Sequence, residues 1–329
     1  MVMLRTPLCD FLGIKYPVLN APMTGTAAAD LAVAVSTVGG FGMIGGTSGN
    51  GPDWLRAQVR AVRARTDRPF GVGFISSFDN IDELVQVALD ERVAAINHSF
   101  ADPTPYIEAA HARGIRLFVQ VQTVAQATRA ARAGVDLIIA QGTEAGGHTG
   151  SLGTLALVPA VVDAVGDIPV VAAGGIADGR GLAAVLLLGA VGGWLGTRFV
   201  ASHEWGGQAW EQSAVLAATS DDTVRTTVYD QVREAPFPDG IADRVLRNRF
   251  NIEWENRAEE IAARRAELRG ELQAAAQRGD SSVVDISAGV GAGLIHSLEA
   301  AGEIVRRIVD EAEHILRDRH MAFLRDEDR

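Results

Sequence analysis

The chain has 329 residues, is 47% hydrophobic and 22% charged, and carries a formal net charge of −11, the composition of a folded globular protein rather than a disordered one. That acidic balance argues against a nucleic-acid partner, which needs clustered Lys and Arg to displace counterions from phosphates. Cys9 is the only cysteine, which excludes an internal disulfide and the multi-cysteine zinc and iron–sulfur frameworks, so no metal is expected.

The first residues, MVMLRTPLCDFLGIKYP, lack the continuous apolar core of a signal peptide, and no run approaches the roughly 20 apolar residues of a membrane span. The expectation is a soluble, cytoplasmic protein without a membrane partner. From there one rhythm repeats: a short β-branched run, then Gly or polar residues, then an alanine-rich stretch of helical length. The expected strands are PVLNA (17–21), FGMIGG (41–46), PFGVGF (69–74), VAAINHS (93–99), IRLFVQVQ (115–122), VDLIIAQG (135–142), IPVVAAGG (168–175) and AVGGWLGT (190–197). Helical patterns lie between them, several ending in Gly as a C-cap. Parallel strands joined by helical crossovers, eight in all, close into a (β/α)8 barrel of the TIM type. A doubly wound open sheet is disfavoured because Ala21-Pro22-Met23, and not GxGxxG, follows the first strand.

After Ser202 the rhythm stops. Residues 204–283 hold Trp205, Trp210 and Trp254, a turn at APFPDG and the charged pattern EWENRAEEIAARRAELRGELQAAAQ, which reads as a helical insert with Glu/Arg pairs at i to i+4. We expect this insert to cover the barrel mouth as a substrate or lid subdomain, its tryptophans forming either the pocket wall or the insert's own core. Residues 1–203 and 284–329 would form the barrel, with Ile304, Ile308 and Ile315 at helical spacing on a final helix that returns to pack on it.

Barrels of this class carry function in the loops after strand C-termini and frequently bind phosphate after the seventh and eighth strands. The loops there are AAGGIADGRG (172–181) and GTRF (196–199). Gly174 and Gly175 allow close backbone approach, a helix opening near Asp178 or Gly179 can aim N–H groups at an anion, and Gly196 and Thr197 add two donors and a hydroxyl. After the sixth strand, QGTEAGGHTG (141–150) places His148 among glycines, where an imidazole can take or give a proton at neutral pH; Glu144 either orients it or caps a turn. His98, at the end of the fourth strand, is the rival, while His111, His203, His314 and His320 fall in helical or charged contexts that suit solvent. Gln120 and Gln122 share a face of the fifth strand by its period of two, and bond each other, water or a ring of polar groups.

The segments QGTEAGGHTG, AAGGIADGRGLAAVLLLGA and GTRFVASHE, with APM after the first strand and GVGAGLI near the end, resemble the signature segments of the nitronate monooxygenase family, formerly 2-nitropropane dioxygenases, over essentially the whole chain. Flavin-dependent enoyl reductases and some NAD(P)H:quinone reductases share these motifs. The resemblance implies an FMN-dependent barrel enzyme with His148 as catalytic base or proton-handling residue. It also implies FMN contacts from Ala21, Pro22, Met23, Gln120, Gly147, Ala173, Gly174, Gly175, Gly196 and Thr197. The chain departs from the family pattern in reading Gly73 where many members have Asn, and Gln120 where some have Lys; a neutral amide stabilises reduced anionic flavin less than a cation does.

The resulting expectation is oxidation of an alkyl nitronate with O2 to a carbonyl compound and nitrite. The alternatives are an NAD(P)H-dependent FMN reductase acting on a quinone or enoyl thioester, and a non-catalytic flavin-binding module. A homodimer is the expected assembly.

Overall fold

The structure, a computed structural model, describes residues 4–47, 49–79 and 81–319. The eight barrel strands, numbered in chain order, are β1 (Val18–Asn20), β2 (Gly42–Gly45), β3 (Phe70–Ile75), β4 (Ala95–Ser99), β5 (Arg116–Val121), β6 (Leu137–Gln141), β7 (Val170–Ala173) and β8 (Gly192–Leu195). Each falls inside or within one residue of its expected run. All are parallel, in the order β1-β8-β7-β6-β5-β4-β3-β2, and a parallel bridge from Leu19 to Phe41 joins β1 to β2 and closes the ring. The chain is a (β/α)8 barrel.

Strand periodicity divides the barrel's apolar side chains between two cores. Leu19, Phe41, Met43, Phe118, Leu137, Ile139, Val171 and Trp194 fill the lumen, whose N-terminal end is plugged by Leu8, Cys9 and Leu12 of the helix Pro7–Leu12. Val18, Val72, Ile96, Val119, Ile138 and Leu195 face the helix layer instead. The helix Ala301–Asp318 packs against both Gly179–Leu187 and Ala29–Val38, so it fills the eighth helix position of the ring. Ile304 and Ile308 are fully buried there and Ile315 partly so, as their spacing predicts.

Between β8 and that helix lies the insert. Its main helix is Ala258–Arg278, kinked at Arg264, and Tyr229, Phe250, Trp254, Leu268 and Leu272 form its core. The expected i to i+4 pairing is largely replaced: Arg264 pairs with Glu267 at i+3, and Arg265 and Arg269 both reach Glu234. The insert also holds two strands that the sequence reading did not place, Thr223–Thr226 and Ala242–Leu246. They pair antiparallel with Gly147–Thr149, so the stretch around His148 is the edge of a three-stranded sheet built mainly by the insert.

Candidate functional site

The C-terminal ends of the barrel strands and the insert enclose a cavity of about 580 Å³. Ala21, Pro22, Met23, Gln120, Gly147, His148, Ala173, Gly174, Gly175, Gly196 and Thr197, the residues singled out in the sequence, all line it. At its floor Met23 N–H donates to Ala21 O at 2.9 Å, a γ-turn centred on Pro22, whose ring fixes the φ such a turn needs. Opposite it stands Gly73: a Cβ there would lie 2.3 Å from Pro22 Cγ. A side chain at this position, where many family members carry Asn, would require the Pro22 turn of this chain to shift.

Gln120 and Gln122 do share a face, and neither bonds the other. Both donate from Nε2 to Oε1 of Gln141, each at 3.0 Å. Gln141 ends β6 on the same lumen-facing parity as Leu137 and Ile139, so the third member of this trio was readable from the period of two.

The glycine loop after β7 packs tightly against the segment that follows β6. Gly174 has φ 106, and a Cβ there would sit 2.9 Å from Gly142 O and from Thr154 Oγ1. The N–H groups of Gly175, Ile176 and Ala177 donate to no protein acceptor among the described residues. The helix opening beyond them does not supply the donors expected of it. Asp178 accepts from the N–H groups of Arg180 and Gly181, and Glu311 of the returning helix takes that of Gly179. The N–H groups left without a protein acceptor are thus those of the glycine turn itself and not those of the helix opening. The Thr197 hydroxyl accepts from Gly289 N–H at 2.9 Å and keeps its own proton to donate.

His148 is gripped from the insert. Its Nε2 lies 2.9 Å from Asp230 Oδ1, and both side chains are largely shielded, at 16% and 14% exposure. Its ring stacks on Phe237, with centroids 3.4 Å apart, and meets the edge of Phe100. Phe78 and Phe100 contact Phe237 in turn, so three loops converge as an aromatic wall. Phe100 holds φ 67, a left-handed conformation that costs a non-glycine residue about 1–3 kcal/mol and persists only where surroundings enforce it. Glu144 does not orient His148: its carboxylate accepts from the N–H and hydroxyl of Thr154 and caps the helix Thr154–Val165.

His98 is not a rival. It shares the outward parity of Ile96, lies against Phe74 and stacks on Tyr106 of the helix layer, and burial pushes it down to about 4. His111, His203 and His314 are exposed, and His320 lies outside the described residues. Of the tryptophans, Trp205 lines the cavity, with its buried Nε1 lacking a partner among the described residues, while Trp254 and Trp210 belong to the insert's apolar clusters.

The sequence reading missed the acids of the insert wall. Asp230, Asp243, Asp285 and Glu211 all line the cavity with Arg233, and Arg233 is held by both oxygens of Asp285. Burial, followed by the charges of Asp285 and Asp230, pushes the Asp243 carboxyl up to about 7 against the pull of His148 and Arg233. Among the described residues no His, Cys, Asp and Glu cluster is arranged to hold a metal, and no helix is long and apolar enough to cross a membrane.

The nitronate monooxygenase family model matches residues 5–84 and 74–311. A nitronate monooxygenase of Neurospora crassa is 34% identical over 91% of this chain and 90% of its own length. A hydroindene carboxyl-CoA dehydrogenase of Mycobacterium tuberculosis is 36% identical over 79% of this chain and 72% of its own. Among solved structures, FabK from Thermotoga maritima superposes with a TM-score of 0.88 at 35% identity, over 98% of this chain and all of that one. The chain belongs to the nitronate monooxygenase family and is an oxidoreductase of that flavin-dependent group.

Proposed function

We propose that the protein binds FMN and oxidises alkyl nitronates with O2, releasing a carbonyl compound and nitrite. The cavity suits the cofactor. Unpartnered N–H groups of the glycine turn line it, and Gly147 has open space where a Cβ would stand. The N–H groups of Gly175, Ile176 and Thr197 would hold the phosphate, and Ala21, Pro22, Met23 and Gln120 would meet the ring system. Bound there, FMN would supply the electron acceptor and pass the electrons to O2.

The observation that carries the reading is the His148–Asp230 pair. With Asp230 accepting from Nε2–H, the imidazole is held in one tautomer, and Nδ1 is left as an acceptor without a hydrogen-bond donor among the described residues. A neutral His148 can take the α-proton of a nitroalkane that enters uncharged, forming the nitronate in place, and an imidazolium there is a counter-charge for a nitronate that enters already ionised. Phe78, Phe100 and Phe237 provide an apolar wall for the alkyl chain.

Purified protein loaded with FMN should consume O2 and release nitrite with propyl-2-nitronate. No oxygen uptake and no nitrite would end this reading. The relatedness to a carboxyl-CoA dehydrogenase supports a second one, nicotinamide-dependent redox chemistry on a thioester, which anaerobic bleaching of the flavin by NADH or NADPH would reveal.

A further inference from the structure

His148 has an acid beside it that the reaction above leaves unused. Asp243 stands directly opposite His148 in the antiparallel register of Ala242–Leu246 with Gly147–Thr149. Residues paired in this way share one face of a sheet, with Cβ atoms about 5 Å apart, and both side chains line the cavity. Asp243 is only 4% exposed, and its Oδ1 accepts a long hydrogen bond, 3.4 Å, from Ser287 Oγ.

The charged groups around it come from every neighbouring element. His148 faces it across the sheet, Asp230 and Arg233 project from the helix Val228–Arg233, and Asp285 comes from the returning segment, with Glu211 beside Asp285. On its other side the strand Thr223–Thr226 presents Thr226, which is uncharged, in register. Arg233 is already committed to Asp285. If Asp230, Asp243 and Asp285 were all ionised beside a neutral His148, the group would hold an uncompensated excess of negative charge away from water, which low-dielectric surroundings penalise. A proton on Asp243 relieves it. A positive charge on His148 relieves it equally well.

We propose that Asp243 and His148 hold one exchangeable proton between them: Asp243 is a neutral carboxylic acid while His148 is a neutral imidazole, and releases its proton to water in the cavity when His148 becomes an imidazolium. The charge of the wall then stays constant while His148 takes a proton from substrate. Asp243 is a positioning residue, acting through the base. Its use in turnover rests on the proposed role of His148, whereas the shared proton can be observed without any substrate.

The test reads protonation in the full chain as purified. Infrared difference spectra with isotope-labelled aspartate should show a buried, protonated carboxyl that disappears as pH rises through neutrality and is missing from Asp243→Asn. Magnetic resonance of isotope-labelled histidine, with His148 assigned through His148→Gln, should give a His148 midpoint lower by about one pH unit or more in Asp243→Asn, restored by Asp243→Glu. The proposal is overturned by a wild-type spectrum without a protonated carboxyl, or by a His148 midpoint that Asp243→Asn leaves in place. The wild-type spectrum decides the matter by itself if the variant does not fold. Failure to turn over nitronates would remove the substrate assignment and leave both measurements standing.

Discussion

Replacing Asp243 with Asn should stabilise the protein above neutral pH, although the residue lines the cavity. The carboxyl rises from 3.8 to about 7 on folding, with burial as the main cause. Its folded pKa lies above its unfolded one, so between those values the native chain binds more protons than the unfolded chain. Stability from this group is therefore full below about pH 4, declines as pH rises to about 7, and is constant beyond. Three pKa units at about 1.36 kcal/mol each come to about 4 kcal/mol. Asn keeps the shape and has no proton to lose. The stability difference, variant minus wild type, should then grow by as much as about 4 kcal/mol between about pH 4 and pH 8. Urea unfolding of both proteins across that range measures it, since titrations common to the two cancel and an unchanged m-value shows that the same surface is exposed. A difference that stays flat with pH, or grows toward acid, would refute the reasoning. A wild-type protein that tolerates such a cost is keeping the acid for something other than stability.

Asp230→Asn should lower kcat by about 10²- to 10⁴-fold while the flavin is retained, because the amide can donate to His148 Nε2 and move the ring proton to Nδ1; steady-state kinetics with a check of cofactor content would show it, and an unchanged kcat would remove His148 from the proton chemistry. Gly73→Asn places a Cβ 2.3 Å from Pro22 Cγ and should displace the Ala21–Met23 turn, weakening flavin binding by at least about tenfold, about 1.4 kcal/mol. Flavin fluorescence titration measures this, and wild-type affinity would show that the turn is not a flavin contact. Trp254→Ala, in the core of the insert, should cost about 3–5 kcal/mol of stability and loosen the wall that carries Asp230 and Asp243. Denaturant unfolding would register the loss, and a cost below about 1 kcal/mol would mean that the insert does not depend on this core.

What the sequence by itself determined is what neighbours in the chain determine. Eight β-branched runs separated by helical stretches imply the barrel, because each strand and crossover helix is specified within a few residues. The period of two set Gln120 and Gln122 on one face, and glycine pairs marked the turns that now line the cavity. The tertiary structure decided the rest wherever a partner lies far along the chain. Asp230, 82 residues beyond His148, holds the imidazole, while Glu144 nearby is spent on a helix end. The N–H of Gly179 is taken by Glu311, 132 residues on, which leaves the free N–H groups in the glycine turn. His98 looked equivalent to His148 because parallel barrel strands are apolar on both faces, so alternation along β4 carries no sign of which side is lumen. Only closure of the ring assigns it to the helix layer. The same closure brings the insert's acids to one imidazole, and no local pattern in residues 204–283 records that meeting.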